Sequence, residues 1–320
     1  MVQEFIFHKI YDSARRAKKS LLVMHKKPDG DTLGSALAFS HWLDQEGKEV
    51  KIFCRDLPSP YYDFLAGLDR ITDDPRAFTE YEPDLIIALD SGDLDYAGVG
   101  EIMEQLEYVP TIINIDHHKT NQNYGAINAV DPDSSSTAEL VYDFFKTVNI
   151  KINKSMATAL LVGVLTDTGN FSNPATTFGS MRAASELVAA GARTNEISKN
   201  LLKNKSIDAL RLWGKTLARL EENKKLNMAF TVIKHEDIQG LDSPAEAVEG
   251  VANFLNRLLD VDLILVLQEN AEGAVKGSFR STNVDVSRIA QALGGGGHKR
   301  AAGFSIQGKL ERDGENWQII

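Results

Sequence analysis

The chain has 320 residues, 43% of them hydrophobic and 25% charged, with a formal net charge of −10 and a single cysteine, Cys54. This is the composition of a globular protein long enough for two cores; it excludes a disulfide framework and suits a reducing compartment, so a cytoplasmic location is expected. No apolar run approaches the roughly 20 residues that span a bilayer, Met1–Phe5 lacks the pattern of a signal peptide, and an acid excess concentrated in residues 1–190 argues against a surface for long duplex nucleic acid.

In chain order, the spacing predicts an amphipathic helix over 4–18, a strand over 20–24 and a helix over 32–46 that Gly47 stops. Strands are expected at 49–54, 84–89 and 111–115, and helices near 136–148, 154–166 and 177–190. Strands alternating with helices imply an α/β fold with a mostly parallel sheet and helices on both faces. Residues 192–225, rich in Lys, Leu and Ala, read as purely helical, with Ser206–Trp213 amphipathic. A new alternation then begins: a strand over 226–233, a helix near 244–259, and a hairpin of strands 262–268 and 274–280 turning at Gly273. A helix over 286–293, the glycine run Gly294–Gly297 and a last strand near 301–306 close a smaller mixed α/β part. The expected organisation is therefore 1–190, a helical connector over 191–225, and 226–320.

Acids and histidines recur where these elements end. His25, Asp29 and Asp31 fall in a tight Pro28- and Gly30-containing loop between a strand and a helix, and Asp31 is placed to cap that helix. Asp90 ends an apolar strand, Asp116, His117 and His118 end another, and Asp167 follows the apolar segment Ala159–Leu165. Open α/β sheets bind ligands at the carboxyl ends of their strands. Each residue has an ordinary explanation by itself, as a cap, a turn or a hydrogen-bonded core group; their coincidence points to metal. Oxygen donors with a minority of imidazole suit Mn²⁺, with Mg²⁺ or Co²⁺ as further options. Six candidate ligands exceed what one ion takes from protein, so two ions are expected, about 3.5–4 Å apart, as in sites that activate water for displacement at phosphorus.

In the second part, Arg280 suits bidentate phosphate binding, and Gly294–Gly297 beside His298 permits close approach of backbone N–H groups to an anion.

Taken together, His25-x-x-x-Asp29-x-Asp31, Asp90, Asp116-His117-His118, Asp167, Arg280-Ser281 and Gly294–His298 give a chain that resembles the DHH phosphoesterase superfamily with its DHH-associated C-terminal domain. The likeness runs from His25 to about Gly303. Size and layout look most like the bacterial nanoRNase branch, whose members act on oligoribonucleotides and phosphoadenosine phosphate. The resemblance implies that 1–190 is a catalytic metal-binding domain and 226–320 a substrate-binding domain. It implies that His25 and Asp29 hold one Mn²⁺, that Asp31, His117 and Asp167 hold a second, and that Asp90 bridges them. His118 would then contact the scissile phosphate and Asp116 orient the histidines, both counted as catalytic. Arg280, Ser281, Gly295, Gly296, Gly297 and His298 would bind substrate. The implied activity is a Mn²⁺-dependent phosphodiesterase releasing mononucleotides from short RNA or linear dinucleotides such as pApA, with phosphatase activity on 3′-phosphoadenosine 5′-phosphate. Alternatives are a cyclic di-AMP phosphodiesterase and a non-catalytic nucleotide-binding module. Homodimers are the common default for such a chain.

Overall fold

The computed structural model describes residues 2–202, 206–314 and 316–320. Its contacts divide into two compact units, residues 1–204 and 205–320. No helix among the described residues is long and apolar enough to cross a membrane.

The first unit is built on six parallel strands: β1 (Lys19–Met24), β2 (Glu49–Phe53), β3 (Ile71–Thr72), β4 (Leu85–Leu89), β5 (Thr111–Asp116) and β6 (Ile127–Val130). They lie in the order β3-β2-β1-β4-β5-β6. Every residue of β4, Leu85 to Leu89, is buried, as a parallel strand covered on both faces requires. Alternate side chains go to opposite faces. Leu22, Met24, Ile87, Leu89, Ile113 and Ile115 join one core, whereas Leu21, Val23, Ile86 and Phe53 join another. The helices of this unit are α1 (Val2–Arg16), α2 (Gly30–Gln45), α3 (Arg76–Thr79), α4 (Gly100–Glu104), α5 (Thr137–Thr147), α6 (Lys154–Asp167), α7 (Phe178–Ala189) and α8 (Thr194–Ile197). The larger core contains the buried faces of α2, α5 and α6, and Phe78 of α3 belongs to the smaller one. Strand order reverses between β1 and β4, so a crevice opens at their carboxyl ends, the usual ligand position of such sheets.

The expected strands and long helices of this unit are present, and the ends differ by a few residues. The short strands β3 and β6 and the single-turn helices α3 and α4 had no sequence signal, being two to five residues long.

In the second unit, β7 (Glu221–Asn223), β8 (Met228–Ile233), β9 (Leu263–Glu269), β10 (Ala274–Ser281), β11 (Gly296–His298) and β12 (Ala301–Gln307) form a sheet in the order β11-β12-β10-β9-β8-β7. Among the described residues of this sheet, only β8 and β9 pair in parallel. A separate hairpin joins β13 (Leu310–Asp313) and β14 (Asn316–Ile319). The helices are α9 (Ile207–Ala218), α10 (His235–Ile238), α11 (Pro244–Val248), α12 (Val251–Leu258) and α13 (Val286–Ala292).

Four expectations change here. Residues 192–225 are not helical throughout: α9 buries Ala209 and Leu212 in this unit's own core, and Glu221–Asn223 is a strand. The helix expected near 244–259 is broken in two, with Gly250 between the pieces at φ +90°, a conformation that costs glycine little. Part of the glycine run is a strand, since Gly296, Gly297 and His298 pair with Gly303, Ala302 and Ala301. The strand at 301–307 is not the last, because the β13–β14 hairpin follows it.

Candidate active site

The carboxyl ends of β1, β4 and β5 bring three sequence-distant segments together. His25 follows β1, Asp90 follows β4, and Asp116 ends β5 with His117 and His118 after it. Asp167 ends α6. Three groups of these side chains each offer atoms within 4.8 Å of one another: His25 with Asp29 and Asp90, Asp31 with His117 and Asp167, and Asp90 with His117 and His118. Asp90 belongs to two faces of the cluster. Its Oδ2 lies 3.3 Å from His25 Nε2, and its Oδ1 lies 3.6 Å from His117 Nε2. His117 Nε2 is also 3.2 Å from Asp167 Oδ2 and 3.9 Å from Asp31 Oδ2, and His25 Nε2 is 3.6 Å from Asp29 Oδ1.

Local folding sets each donor. His25 Nδ1 is 2.7 Å from the Lys26 carbonyl, so it carries the proton and Nε2 is left to face the carboxylates. Asp90 adopts φ +61°, an unfavourable conformation for a non-glycine residue that tends to persist at functional sites. Its backbone N–H donates to Ile115 O at 2.9 Å, and Thr137 Oγ1 donates to its Oδ1 at 2.9 Å. Asp31 is not the cap of α2. Asp29 is, accepting from the backbone N–H groups of Asp31 and Thr32. The fully buried Asp31 carboxylate instead accepts from the Thr137 and Ala138 N–H groups at 2.7 and 2.8 Å, where the amino end of α5 favours negative charge.

The electrostatics identify what the site lacks in itself. Among the described residues, none of Asp29, Asp31, Asp90 and Asp167 pairs with a lysine or arginine. Burial and the charges of Asp90, Asp167 and Asp29 push Asp31 well above the ordinary carboxylate range. Burial raises Asp167 as well, against its bond to His117. Burial opposes charge on His25, yet Asp29 and Asp90 outweigh it and push the imidazole up to about 11. The same contest, settled by Asp167 and Asp90, takes His117 to about 9. A buried pocket of carboxylates that pulls this hard on His25 and His117 fits hard divalent metal ions.

His118 reaches this cluster only through Asp90, its Nδ1 3.7 Å from Asp90 Oδ1, and its shorter contact is with Asp116. Asp116 is fully buried; its Oδ1 accepts from His118 Nδ1 at 2.7 Å and from the His117 backbone N–H at 2.9 Å. Asn121 Nδ2 donates to the other carboxylate oxygen at 2.5 Å. These bonds hold Asp116 below the usual range despite its burial, and the bond to Asp116 raises His118 against its own desolvation.

In the second unit, a cavity of about 910 Å³ is lined by Arg280, Gly295 and Gly296, together with Asn253, Lys276 and Ser278. Arg280 Nε donates to Asn253 Oδ1 at 2.6 Å and one Nη donates to Phe279 O at 2.8 Å; burial draws its guanidinium below its ordinary value. Ser281 does not face this cavity. Its hydroxyl donates to Asp262 O at 2.6 Å and accepts from the Val284 N–H at 2.7 Å, closing the turn after β10. Gly297 and His298 also lie off the cavity, on the exposed strand β11.

The model of the DHH family, N-terminal domain, matches residues 19–164, and that of the DHHA1 domain matches residues 226–315. The chain is 32% identical over 290 residues to a bifunctional oligoribonuclease and PAP phosphatase, NrnA, of Thermus thermophilus, covering 90% of this chain and 84% of the relative. The chain belongs to the DHH family. A second NrnA, of Bacillus subtilis, is 26% identical over 92% of this chain and 91% of its own length. The crystal structure of an exopolyphosphatase-related protein from Bacteroides fragilis superposes with a TM-score of 0.84 at 27% identity, covering 95% of this chain and 92% of that one. Together with the NrnA relatives, this indicates a phosphoesterase, a hydrolase.

In this DHH chain, all eight residues expected at the centre come together at one crevice, and the six expected in the DHHA1 part divide between the cavity and its surroundings. Sequence reasoning missed the groups that hold the donors: Thr137, Asn121 and Asn253. The polar run Ser134–Thr137 before α5 was the one signal for Thr137; nothing marked the other two.

Proposed function

We propose that the chain is a Mn²⁺-dependent phosphodiesterase that cleaves short oligoribonucleotides or linear dinucleotides such as pApA to mononucleotides, and that it also dephosphorylates 3′-phosphoadenosine 5′-phosphate. The observation that carries this reading is Asp90, whose two oxygens face two separate histidine–carboxylate groups. That is the arrangement of a carboxylate shared by two ions. His25 and Asp29 would hold one ion and Asp31, His117 and Asp167 the other. Bound there, a pair of divalent ions supplies an activated water and neutralises charge developing at phosphorus.

The protein's own groups do the rest. Thr137 and Ile115 fix Asp90, and the amino end of α5 fixes Asp31, so the donors are held before substrate arrives. His118, held by Asp116, whose carboxylate favours the charged imidazole, would present Nε2 as a donor to a phosphoryl oxygen. Arg280, steadied by Asn253, and the backbone of Gly295 and Gly296 line the cavity that would take a substrate phosphate. The NrnA relatives support the substrate classes.

The test is purified protein with Mn²⁺ challenged in parallel with pApA, a 24-mer RNA, phosphoadenosine phosphate and cyclic di-AMP, beside an Asp90→Ala variant. Turnover of pApA and of phosphoadenosine phosphate by the wild type alone is expected. Wild-type and Asp90→Ala proteins equally inert on all four would overturn the reading.

A further inference from the structure

Beyond the residues of the acidic centre, one aromatic side chain leans over it. Tyr96 belongs to none of the donor groups and has no role in the architecture of the sheet. Its ring centroid is 5.0 Å from that of His25, tilted by 31°, and 6.4 Å from that of His118, edge-on at 66°. It therefore touches both His25, expected to hold a metal, and His118, expected to face substrate. The residue is 46% exposed, and among the described residues no hydrogen bond of its phenolic oxygen is found.

The backbone beneath it is rigid. The Tyr96 N–H donates to Asp93 Oδ1 at 2.6 Å, and its carbonyl accepts from the Lys26 N–H at 3.1 Å. The Ala97 N–H donates to Asp93 O at 3.2 Å, and the Val99 N–H to Leu94 O at 2.9 Å. Ala97 and Val99 are buried in the smaller core of the first unit, with Leu94 packed against it. The loop is thus tied both to the core and to the segment carrying His25. An exposed surface tyrosine would gain nothing from such fixing. A donor that departs from a fixed backbone beside a site for an anion gains orientation.

The phenol lies within the fields of His25, Asp90, Asp29 and Asp116, and burial keeps it in the protonated form. It is therefore a neutral donor in surroundings dominated by carboxylates. A hydroxyl there could brace a carboxylate ligand, as Thr137 does Asp90, but among the described residues the Tyr96 hydroxyl makes no such bond. Toward a phosphate seated on the cluster it offers an O–H.

We propose that Tyr96 is a substrate-binding residue of this centre, its hydroxyl donating a hydrogen bond to a non-bridging oxygen of the phosphodiester. The inference rests on the reading of the site as a phosphodiesterase centre. It adds a contact from the loop after β4 to the one expected from His118.

The test uses the full-length protein with Mn²⁺, as wild type, Tyr96→Phe and Tyr96→Leu. The probe is a di-adenylate phosphonate in which a methylene replaces the bridging leaving oxygen, so that binding is read by calorimetry without turnover. Tyr96→Phe should unfold at the wild-type temperature, take up the same amount of Mn²⁺, and bind the phosphonate about tenfold more weakly, the usual loss for one hydrogen bond to a charged group. Tyr96→Leu should bind no better than Tyr96→Phe. Equal affinities for wild type and Tyr96→Phe would overturn the proposal, as would a loss of Mn²⁺ uptake that accounts for the weaker binding. A wild type that binds the phosphonate through Tyr96 but turns over none of the four substrates would sink the phosphodiesterase reading and leave this contact standing.

Discussion

Asp116 and His118 form a pair in which a fully buried carboxylate accepts from the Nδ1 of an imidazole 2.7 Å away. The pair is directional. Asp116 lies behind, bonded also to Asn121 and to the His117 backbone, and His118 lies in front with 39% of its side chain exposed. Asp116→Asn keeps the shape, but the amide no longer supplies the negative charge that raises His118. The variant should lose about 10- to 100-fold in kcat, the range typical of a partner that orients a site histidine. The fall in activity with rising pH should also begin at a lower pH than in the wild type, because His118 then loses its proton earlier. Steady-state rates on pApA across pH check both. An unchanged profile would mean that His118 does not act in its protonated form.

His117 and His118 are neighbours in sequence and differ in surroundings. His117 Nε2 faces Asp167, Asp90 and Asp31, whereas His118 Nδ1 is bound to Asp116. His117→Ala should therefore lose one metal ion per chain by elemental analysis. His118→Ala should retain both and lose kcat by about 10²–10³, the scale for removing a donor to a developing oxyanion. Adding Mn²⁺ at about 100 times its dissociation constant should stabilise the wild type by about 2.7 kcal/mol for each ion bound, against thermal unfolding. The His118→Ala protein should share that gain in full. Equal metal loss in both variants would end this division of roles.

The centre was legible because β1, β4 and β5 are short apolar runs, each followed by an acid or a histidine. The parallel sheet then requires their carboxyl ends to meet. What stayed hidden depends on contacts across the fold. Asp29 and Asp31 are equally good capping residues by sequence, and only the position of α5 decides that Asp31 serves Thr137 and Ala138. The Glu221–Asn223 strand has no apolar residue to mark it, and pairing with β8 alone makes it one. The glycines at 296 and 297 carry no pattern, yet β12 recruits them into a sheet. Ser281 next to Arg280 suggested a second phosphate ligand, but the turn after β10 uses its hydroxyl.

Gly163 in α6 should prove as sensitive as a ligand. A Cβ there would stand 2.5 Å from Ala138 Cβ and 2.8 Å from Asp31 Oδ1, while one at Gly34 on α2 would stand 2.3 Å from Ala159 O. Both glycines let α2 and α6 approach closely. Gly34→Ala should overpack this contact and cost about 1–3 kcal/mol, read from chemical denaturation. Gly163→Ala should cost a similar amount and, by displacing Asp31, also weaken Mn²⁺ binding measured by calorimetry. Full metal affinity in a destabilised Gly163→Ala protein would show that Asp31 can move without loss.

Asp237 governs the acid stability of the second unit. Its buried carboxylate pairs with Arg219 through both oxygens and accepts from the Lys234 N–H at 3.0 Å. Burial opposes its charge, and Arg219 and Lys234 overcome that, leaving it below the ordinary value of 3.8. A depressed carboxylate stabilises the fold above its unfolded pKa, and the stabilisation disappears as pH falls through the folded value. The loss should therefore begin as pH drops below about 4 and be complete once Asp237 is protonated in the fold as well. Asp237→Asn should remove that part of the acid transition and, at neutral pH, leave Arg219 without its counter-charge at a cost of about 2–4 kcal/mol, scaled down from fully buried pairs because Arg219 is a quarter exposed. Amide hydrogen exchange in α9 and β8 reads both effects locally. If exchange there stays as slow in Asp237→Asn as in the wild type at pH 7, the Arg219 pair contributes no net stability.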